Sequence, residues 1–383
     1  HCTPVFVSYL LISTTSATLY INQEKLTPEV EAHLESQGVK MAGYDDVRKG
    51  IKEYAEYNIL LDPNETNYTL SRLVDVQEVI RHKSPIPAMK AIKNEAEIRG
   101  YRSAMLKDGI ALVKFLRWLK PAVEAGGQTE ISIDKKLTSL RAEQPLFRDI
   151  SFDTIAGYGA HGAIVHYEAT PETDIPLEPH GLLLLDSGAQ YQDGTTDITR
   201  TIALGPVSDY EKHIYTLVLK GHIQLEICKF PSGASGTQMD ILAREAMWRE
   251  GLNYLHGTGH GVGSYLSVHE GPHQFRLEWM PAPFLENMTV TDEPGIYLAG
   301  QFGVRIENTL LISHYKDTEF GKFLQFESLT LCPIDTTPVV KEELLPEEVA
   351  WLNEYHQHVY DMLAPHLDDE GDKEWLRKAT MPI

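Results

Sequence analysis

Cysteine is scarce. Cys2, Cys228 and Cys332 are the only three in 383 residues, too few and too scattered for a disulfide framework or a zinc knuckle. A reducing, cytoplasmic setting is therefore expected. Long apolar runs are also missing, and none approaches the roughly 18 residues of a bilayer-spanning helix. Positive charge is in deficit, with 34 Lys and Arg against 55 Asp and Glu and a net charge of −21. No local basic patch offsets this, which argues against nucleic acid or an anionic membrane surface as partner. The chain opens His1-Cys2-Thr3 with no initiator Met, and Val5 to Ile12 is already strand-like. It is accordingly expected to be a piece of a larger protein, in which any signal peptide would lie out of sight.

What remains is long enough to bury a full core and to divide into domains. Up to about residue 80 the sequence reads as a small α/β unit. VFVSYLLI and ATLYI are β-rich runs, and TPEVEAHLESQG is a helix with Thr27 as cap, Pro28 at its first position and Gly38 as terminator. DDVRKGIKEYAEY should be a second helix and NILLDP a strand. No cluster of ligand-type residues occurs there, so this unit is expected to be non-catalytic. The Pro- and Lys-containing segment 81–94 reads as a linker.

From Glu95 an amphipathic helix of about 25 residues is expected, with Ile98, Tyr101, Met105, Ile110, Val113 and Leu116 on one face. Gly126-Gly127 breaks the chain beyond it, and Thr129 is the candidate cap of the next helix. Ser208 to Glu211 is a capping box opening a third helix, and Gly233 to Gly236 separates it from a fourth. With the β-rich runs that follow each pair, the order is helix, helix, hairpin, twice over.

The chemistry lies in the runs. LLLLDSGAQYQDGTTDITRTIAL carries Asp186 and Asp197 beside strands that should be buried, and buried carboxylates are costly without a cation. The DG turn at Asp193-Gly194 would leave the two roughly 13 Å apart along the strand. An earlier turn near Tyr191-Gln192, or a bulge, is therefore predicted. LHGTGHGVGSYLSVHEGP holds His256, His260 and His269. Its glycines make a helix improbable despite the i, i+4 spacing, and the glutamate of HExxH is absent. In TVTDEPGIYLAGQFGVRIENTLLI, a three-residue loop centred on Gly300 would set Glu293 opposite Glu307, although Pro294-Gly295 must interrupt the ladder. Four carboxylates and an imidazole form a hard to borderline, oxygen-rich set. It suits two divalent ions such as Mn²⁺, with Co²⁺, Zn²⁺ or Fe²⁺ as alternatives. Two such ions sharing carboxylates can acidify a bridging water and polarise a carbonyl, as amide hydrolysis requires.

These motifs resemble the dinuclear pita-bread metallopeptidases, which include methionine aminopeptidase, prolidase and aminopeptidase P. DSGAQY.DGTTD.TRT, HGTGHGVGS.L.VHEGP and the tail ESLTLCPIDT…WLN.YH are similar in particular to the cytosolic, three-domain Xaa-Pro aminopeptidase type. The resemblance implies an α+β chain in which a creatinase-like α/β domain (1–85) precedes a pita-bread catalytic domain (86–325) and a C-terminal extension (326–383). The family's first domain would be absent. It also implies metal ligands at Asp186, Asp197, His260, Glu293 and Glu307, with Glu293 as proton shuttle. His166 and His269 would serve catalysis and peptide binding, and His256 the proline pocket. The implied activity is removal of the first residue of peptides with proline second, through a metal-bridging hydroxide, by a homodimer that the extension helps form. Prolidase, restricted to Xaa-Pro dipeptides, is the nearest alternative. A peptide-binding module on the same fold is a further one, disfavoured because no ligand position departs from the pattern.

Overall fold

The structure is a computed structural model and describes residues 2–54, 56–74 and 79–383. It divides into two compact units, residues 5–87 and residues 88–383 together with 1–4. In the first unit, Ser8–Ile12 and Ala17–Ile21 form an antiparallel hairpin. Val39–Gly43 joins parallel to the second strand after the crossover helix Pro28–Ser36. Thr27 caps that helix by accepting from the Val30 N–H, and Gly38 leaves it at φ +74°, as its sequence implies. The strand begins at Ser8 and not at Val5, and the second helix covers only Val47–Glu53, with Tyr44–Asp46 in a 3₁₀ turn before it. Ala55, at the end of that expected helix, lies outside the described residues. Tyr20, Val47, Ile51, Leu70 and Val74 form this unit's small core.

Part of the segment read as a linker is helical, Ile86–Ala91. The long helix then opens on Asn94, in a capping box with Glu97. It runs through Pro121 to Glu124, one turn beyond the expected end. A proline near a helix end removes a single hydrogen bond, and burial of Val123 anchors the added turn. Thr129 caps Glu130–Ala142, Ser208 caps Asp209–Glu226, and Gly236–Trp248 completes the second pair. Each pair precedes a hairpin, so the twofold order of helices and hairpins holds.

The strands Leu182–Ser187 and Ile198–Ala203 lie antiparallel, with Asp186 opposite Thr199. The same register continues into Ala189–Tyr191 and Gly194–Thr195, where Gly194 faces Tyr191. The turn therefore sits at Gln192-Asp193, one residue earlier than the DG dipeptide suggests and one later than Tyr191-Gln192, and the ladder has no bulge. Tertiary contacts decide this: Lys107 Nζ holds the Asp193 carboxylate at 2.5 Å, and the Gln192 N–H donates to the Leu146 carbonyl. Asp186 and Asp197 thereby become diagonal neighbours on one face, about 7 Å apart along the backbone instead of 13.

The second hairpin follows its expected register. Gly295–Leu298 pairs with Phe302–Arg305 around Gly300 at φ +71°, and Thr289–Asp292 pairs with Asn308–Thr318 so that Asp292 faces Asn308. Between the two ladders, at the Pro294 interruption, Glu293 and Glu307 stand across from each other.

Helices and hairpins close on a core that includes Leu183, Leu185, Ile202, Leu112, Phe115 and Leu137. Inside it, Arg141 donates to both Asp108 carboxylate oxygens at 2.8 and 3.0 Å, and the Tyr191 hydroxyl donates to the same carboxylate. This one charge pair joins the first two long helices to the first hairpin. Asp108→Ala strands a buried guanidinium and should lower unfolding free energy by about 3–5 kcal/mol in urea titration. A loss below about 1 kcal/mol would show that the pair is dispensable.

Candidate metal centre

The five carboxylate and imidazole positions singled out in the sequence meet at one cavity of about 500 Å³, whose wall includes Asp186, Asp197, His260, Glu293 and Glu307. Two come from each hairpin. The fifth, His260, sits on the short strand Gly259–His260, paired with Gln274–Phe275 and bridged through Gly261 to Val290. Gly259 is required there, because a Cβ would lie 1.8 Å from the Thr291 carbonyl oxygen. The loop is extended, not helical, as its glycines imply.

Four of the five have one side-chain atom tied down. Asp186 Oδ2 accepts from Arg305 Nη2 at 2.6 Å, while Oδ1 is buried without a partner. Glu307 Oε2 accepts from Thr199 Oγ1 at 2.7 Å, and Glu293 Oε1 accepts from Thr291 Oγ1 at 3.3 Å. His260 Nδ1 faces the Gly261 carbonyl at 3.0 Å, which fixes the ring so that Nε2 points to Asp197 and Glu293, at 3.4 Å from each. Ligand atoms of Asp197, His260 and Glu307 all lie within 4.8 Å of one another. A neutral ring anchored through Nδ1–H and carboxylates anchored through one oxygen are what a divalent cation needs around it. The residues fit such an ion.

Without a cation the charges are badly placed. Burial drives Glu293 up to about 7 against the opposing His260 and Arg305 charges, and Asp197 and Asp186 add to the rise. Burial and the neighbouring carboxylates also push Glu307 well up, and burial raises Asp186 although Arg305 opposes it. For His260 burial disfavours protonation, yet the Asp197 hydrogen bond and the Glu293 charge outweigh it and lift the ring to about 9.

The other three histidines share the cavity. His256 Nε2 lies 2.8 Å from the Tyr297 hydroxyl, which accepts in turn from Arg305 Nη1 at 2.8 Å. The Tyr297 hydroxyl therefore donates to Nε2, and the His256 Nδ1–H donates to the Gly257 carbonyl. Burial holds this ring neutral, near 4. The ring of His269 packs edge-on against His260 at 4.1 Å and is likewise held near 4 by burial. His166 is exposed at the cavity wall. Its loop is anchored by the buried Glu130, which accepts from the Tyr158 N–H and the Tyr167 hydroxyl and contacts His161 Nδ1 at 3.0 Å.

Arg305 and Tyr297 belong to the centre but did not stand out in the sequence, where Arg305, or a lysine, would be the ordinary partner of a lone strand glutamate such as Glu307. The structure gives it to Asp186 instead. Its position two residues before Glu307, on the same strand face, was the available signal.

A helix pair and broken hairpin, repeated, around converging carboxylates and an imidazole define a metal-dependent hydrolase centre, and the sequence comparisons make the class specific. Residues 99–314 match metallopeptidase family M24, residues 1–97 the creatinase/prolidase N-terminal domain and residues 322–383 the C-terminal region of peptidase M24. The chain belongs to metallopeptidase family M24. It is 38% identical to aminopeptidase P1 of Lotus japonicus over 99% of this chain and 68% of that protein. It superposes on an X-prolyl aminopeptidase of Caenorhabditis elegans, described as a cytosolic enzyme with a di-nuclear active site. That match has a TM-score of 0.94 and 37% identity, over 100% of this chain but 64% of the nematode chain. A Xaa-Pro dipeptidase from Bacillus anthracis aligns with TM-score 0.69 and 27% identity, over 86% and 89% of the two chains. The chain thus spans about two thirds of the length of its aminopeptidase relatives. No helix among the described residues is long and apolar enough to cross a membrane.

The pKa shifts predict how the metal-free protein responds to pH. His260 is raised above its usual 6.5, so its contribution is complete below pH 6.5 and lost as pH rises through about 9. Glu293 is raised above 4.5, so its protonated form also favours folding at low pH, and that contribution is lost through about 7. His256 and His269, lowered to about 4, act only below pH 6.5. The melting temperature of metal-free protein should therefore fall between pH 7 and 9. Saturating Mn²⁺ should flatten that fall and, at pH 7, release roughly one to two protons per chain in calorimetry across two buffers. A metal-free melting temperature that is flat or rising over this window would contradict the placement of these charges.

Proposed function

We propose that this chain carries the active site of an Xaa-Pro aminopeptidase, which removes the first residue of peptides whose second residue is proline. The carrying observation is the convergence of Asp186, Asp197, His260, Glu293 and Glu307 on one cavity, with Asp186 Oδ1 buried and unpartnered among them. The 0.94 superposition on a protein described as a di-nuclear X-prolyl aminopeptidase supports the same reading. These five residues would hold two divalent ions, Mn²⁺ first and Zn²⁺, Co²⁺ or Fe²⁺ as alternatives. The ions, when bound, supply an acidified water and electrophilic polarisation of the scissile carbonyl.

The protein's own residues do the rest. Glu293 Oε2, unlike Oε1, makes no hydrogen bond among the described residues, and this oxygen would take a proton and pass it to the departing proline nitrogen. His269, neutral and adjacent to His260, would donate to the carbonyl oxygen as negative charge develops there. His166 would hold the peptide at the cavity wall. The Tyr297-oriented His256 would line the proline pocket. Peptides are then the partners, with neither nucleic acid nor membrane involved. A cytoplasmic location and a homodimer built partly by residues 326–383 belong to the same proposal, and sedimentation reads the latter.

The dipeptidase reading keeps the same metal centre and differs in which peptide lengths fit. Incubating the Mn²⁺-loaded protein with Xaa-Pro, Xaa-Pro-Xaa and Met-Ala-Xaa peptides separates the two. Cleavage of Xaa-Pro-Xaa is expected, and cleavage of only the dipeptide would favour prolidase. Glu293→Gln should lower kcat by about 10³-fold. Undiminished turnover by that variant with metal bound would remove Glu293 from the proton path.

A further inference from the structure

Behind the two glutamates lies a polar chain whose side chains, apart from the half-buried Ser328, are buried. The helix Asp209–Glu226 ends with His222 and Glu226 one turn apart, 0% and 4% exposed. His222 Nδ1 lies 3.2 Å from both the Asp292 carbonyl and Asp292 Oδ2, and Nε2 lies 3.3 Å from Glu226 Oε1. Glu226 Oε1 accepts from Asn308 Nδ2 at 2.8 Å, and its other oxygen accepts from the Ser328 hydroxyl. Asn308 Oδ1 accepts from Arg200 Nη2 at 2.9 Å, while Arg200 Nη1 donates to the Glu307 and Thr199 carbonyls at 2.7 and 3.0 Å.

Asp292 and Asn308 are opposite partners in the ladder. They form its last rung before the interruption, immediately preceding Glu293 and immediately following Glu307. His222 and Glu226 therefore grip, from one helix, both ends of the rung from which the two glutamates leave. Stability alone would be served as well by apolar side chains, since replacing buried charged groups by well-packed hydrophobics is commonly neutral or better. Their concentration at this rung points to placement of the glutamates. A cation held by His222, Glu226 and Asp292 is a poor alternative. The imidazole already fills the space between the two carboxylates, one nitrogen toward each, and both Glu226 oxygens already accept hydrogen bonds.

We propose that His222 and Glu226 are positioning residues that set the Glu293 and Glu307 carboxylates at the spacing their metal ions require. This rests on the ligand assignment made under Proposed function. The test compares wild type, His222→Phe, Glu226→Leu, Glu226→Gln and the remote core variant Leu137→Ala. The readouts are Mn²⁺ affinity of the metal-free protein by calorimetry, kcat and KM per folded molecule, and melting temperature. His222→Phe and Glu226→Leu should each lose about 10- to 100-fold in Mn²⁺ affinity and in kcat, with KM within about twofold. Glu226→Gln still accepts from Asn308 and should recover most of both. If the harsher variants fail to fold, His222→Gln carries the test with the same expected loss, since it stays polar but cannot meet both Asp292 and Glu226. Leu137→Ala, also destabilised, should keep wild-type affinity and kcat. Wild-type Mn²⁺ affinity in His222→Phe and Glu226→Leu, or losses matched by Leu137→Ala, would overturn the proposal. A wild-type protein that binds no Mn²⁺ would instead overturn the ligand assignment itself.

Discussion

Like charge held out of water is the constraint on which this structure turns. Four candidate ligand carboxylates face one cavity, and Arg305 is a fixed cation among them. Two unit charges ~4 Å apart cost about 4 kcal/mol at an effective dielectric of 20, and several such pairs would consume the whole 5–15 kcal/mol by which a domain is normally stable. The metal-free protein can answer only with protons, which is why Glu293, Glu307 and Asp186 are raised along with His260. Divalent ions would replace those protons, so the fold is arranged around a charge deficit that a metal pair removes.

The fold meets this constraint by breaking the second hairpin where Glu293 and Glu307 stand. In an unbroken ladder every backbone group is paired and side chains stand perpendicular to the sheet. On both strands of that break the backbone of the glutamates pairs elsewhere. The Glu293 N–H donates to the Thr258 carbonyl, on the loop that carries His260, and the Glu307 N–H donates to the Thr199 carbonyl in the other hairpin. These two bonds stitch the three ligand-bearing segments together. The interruption at Pro294 is thus the route by which Glu293 leaves its own sheet and joins the others.

Much of this was legible in the sequence, because period-2 strands and turn residues fix register arithmetically. The Gly300 loop set Glu293 opposite Glu307 correctly. The Asp186 and Asp197 register was only half legible, since DG is the better local turn and the choice of Gln192-Asp193 depends on Lys107, 86 residues away. Arg305 on Asp186 was hidden for the same reason, as strand alternation tells which face a residue is on but not which opposite charge it meets. His222 and Glu226 were invisible as a pair because a helix pattern reports apolar periodicity, and two polar residues at i, i+4 look like a solvated stripe until tertiary packing buries them.

Arg305 also joins the carboxylates of the cavity to its histidine His256. Its guanidinium donates to Asp186 through Nη2, to Tyr297 through Nη1 and to Thr199 through Nε, and Thr199 and Tyr297 pass the contact to Glu307 and His256. A lysine would keep the charge but could not present three donors in one fixed plane. The planar fork therefore does what charge alone would not. It fixes the Asp186 carboxylate directly and, through Thr199 and Tyr297, the Glu307 carboxylate and the tautomer of His256, in a single rigid unit.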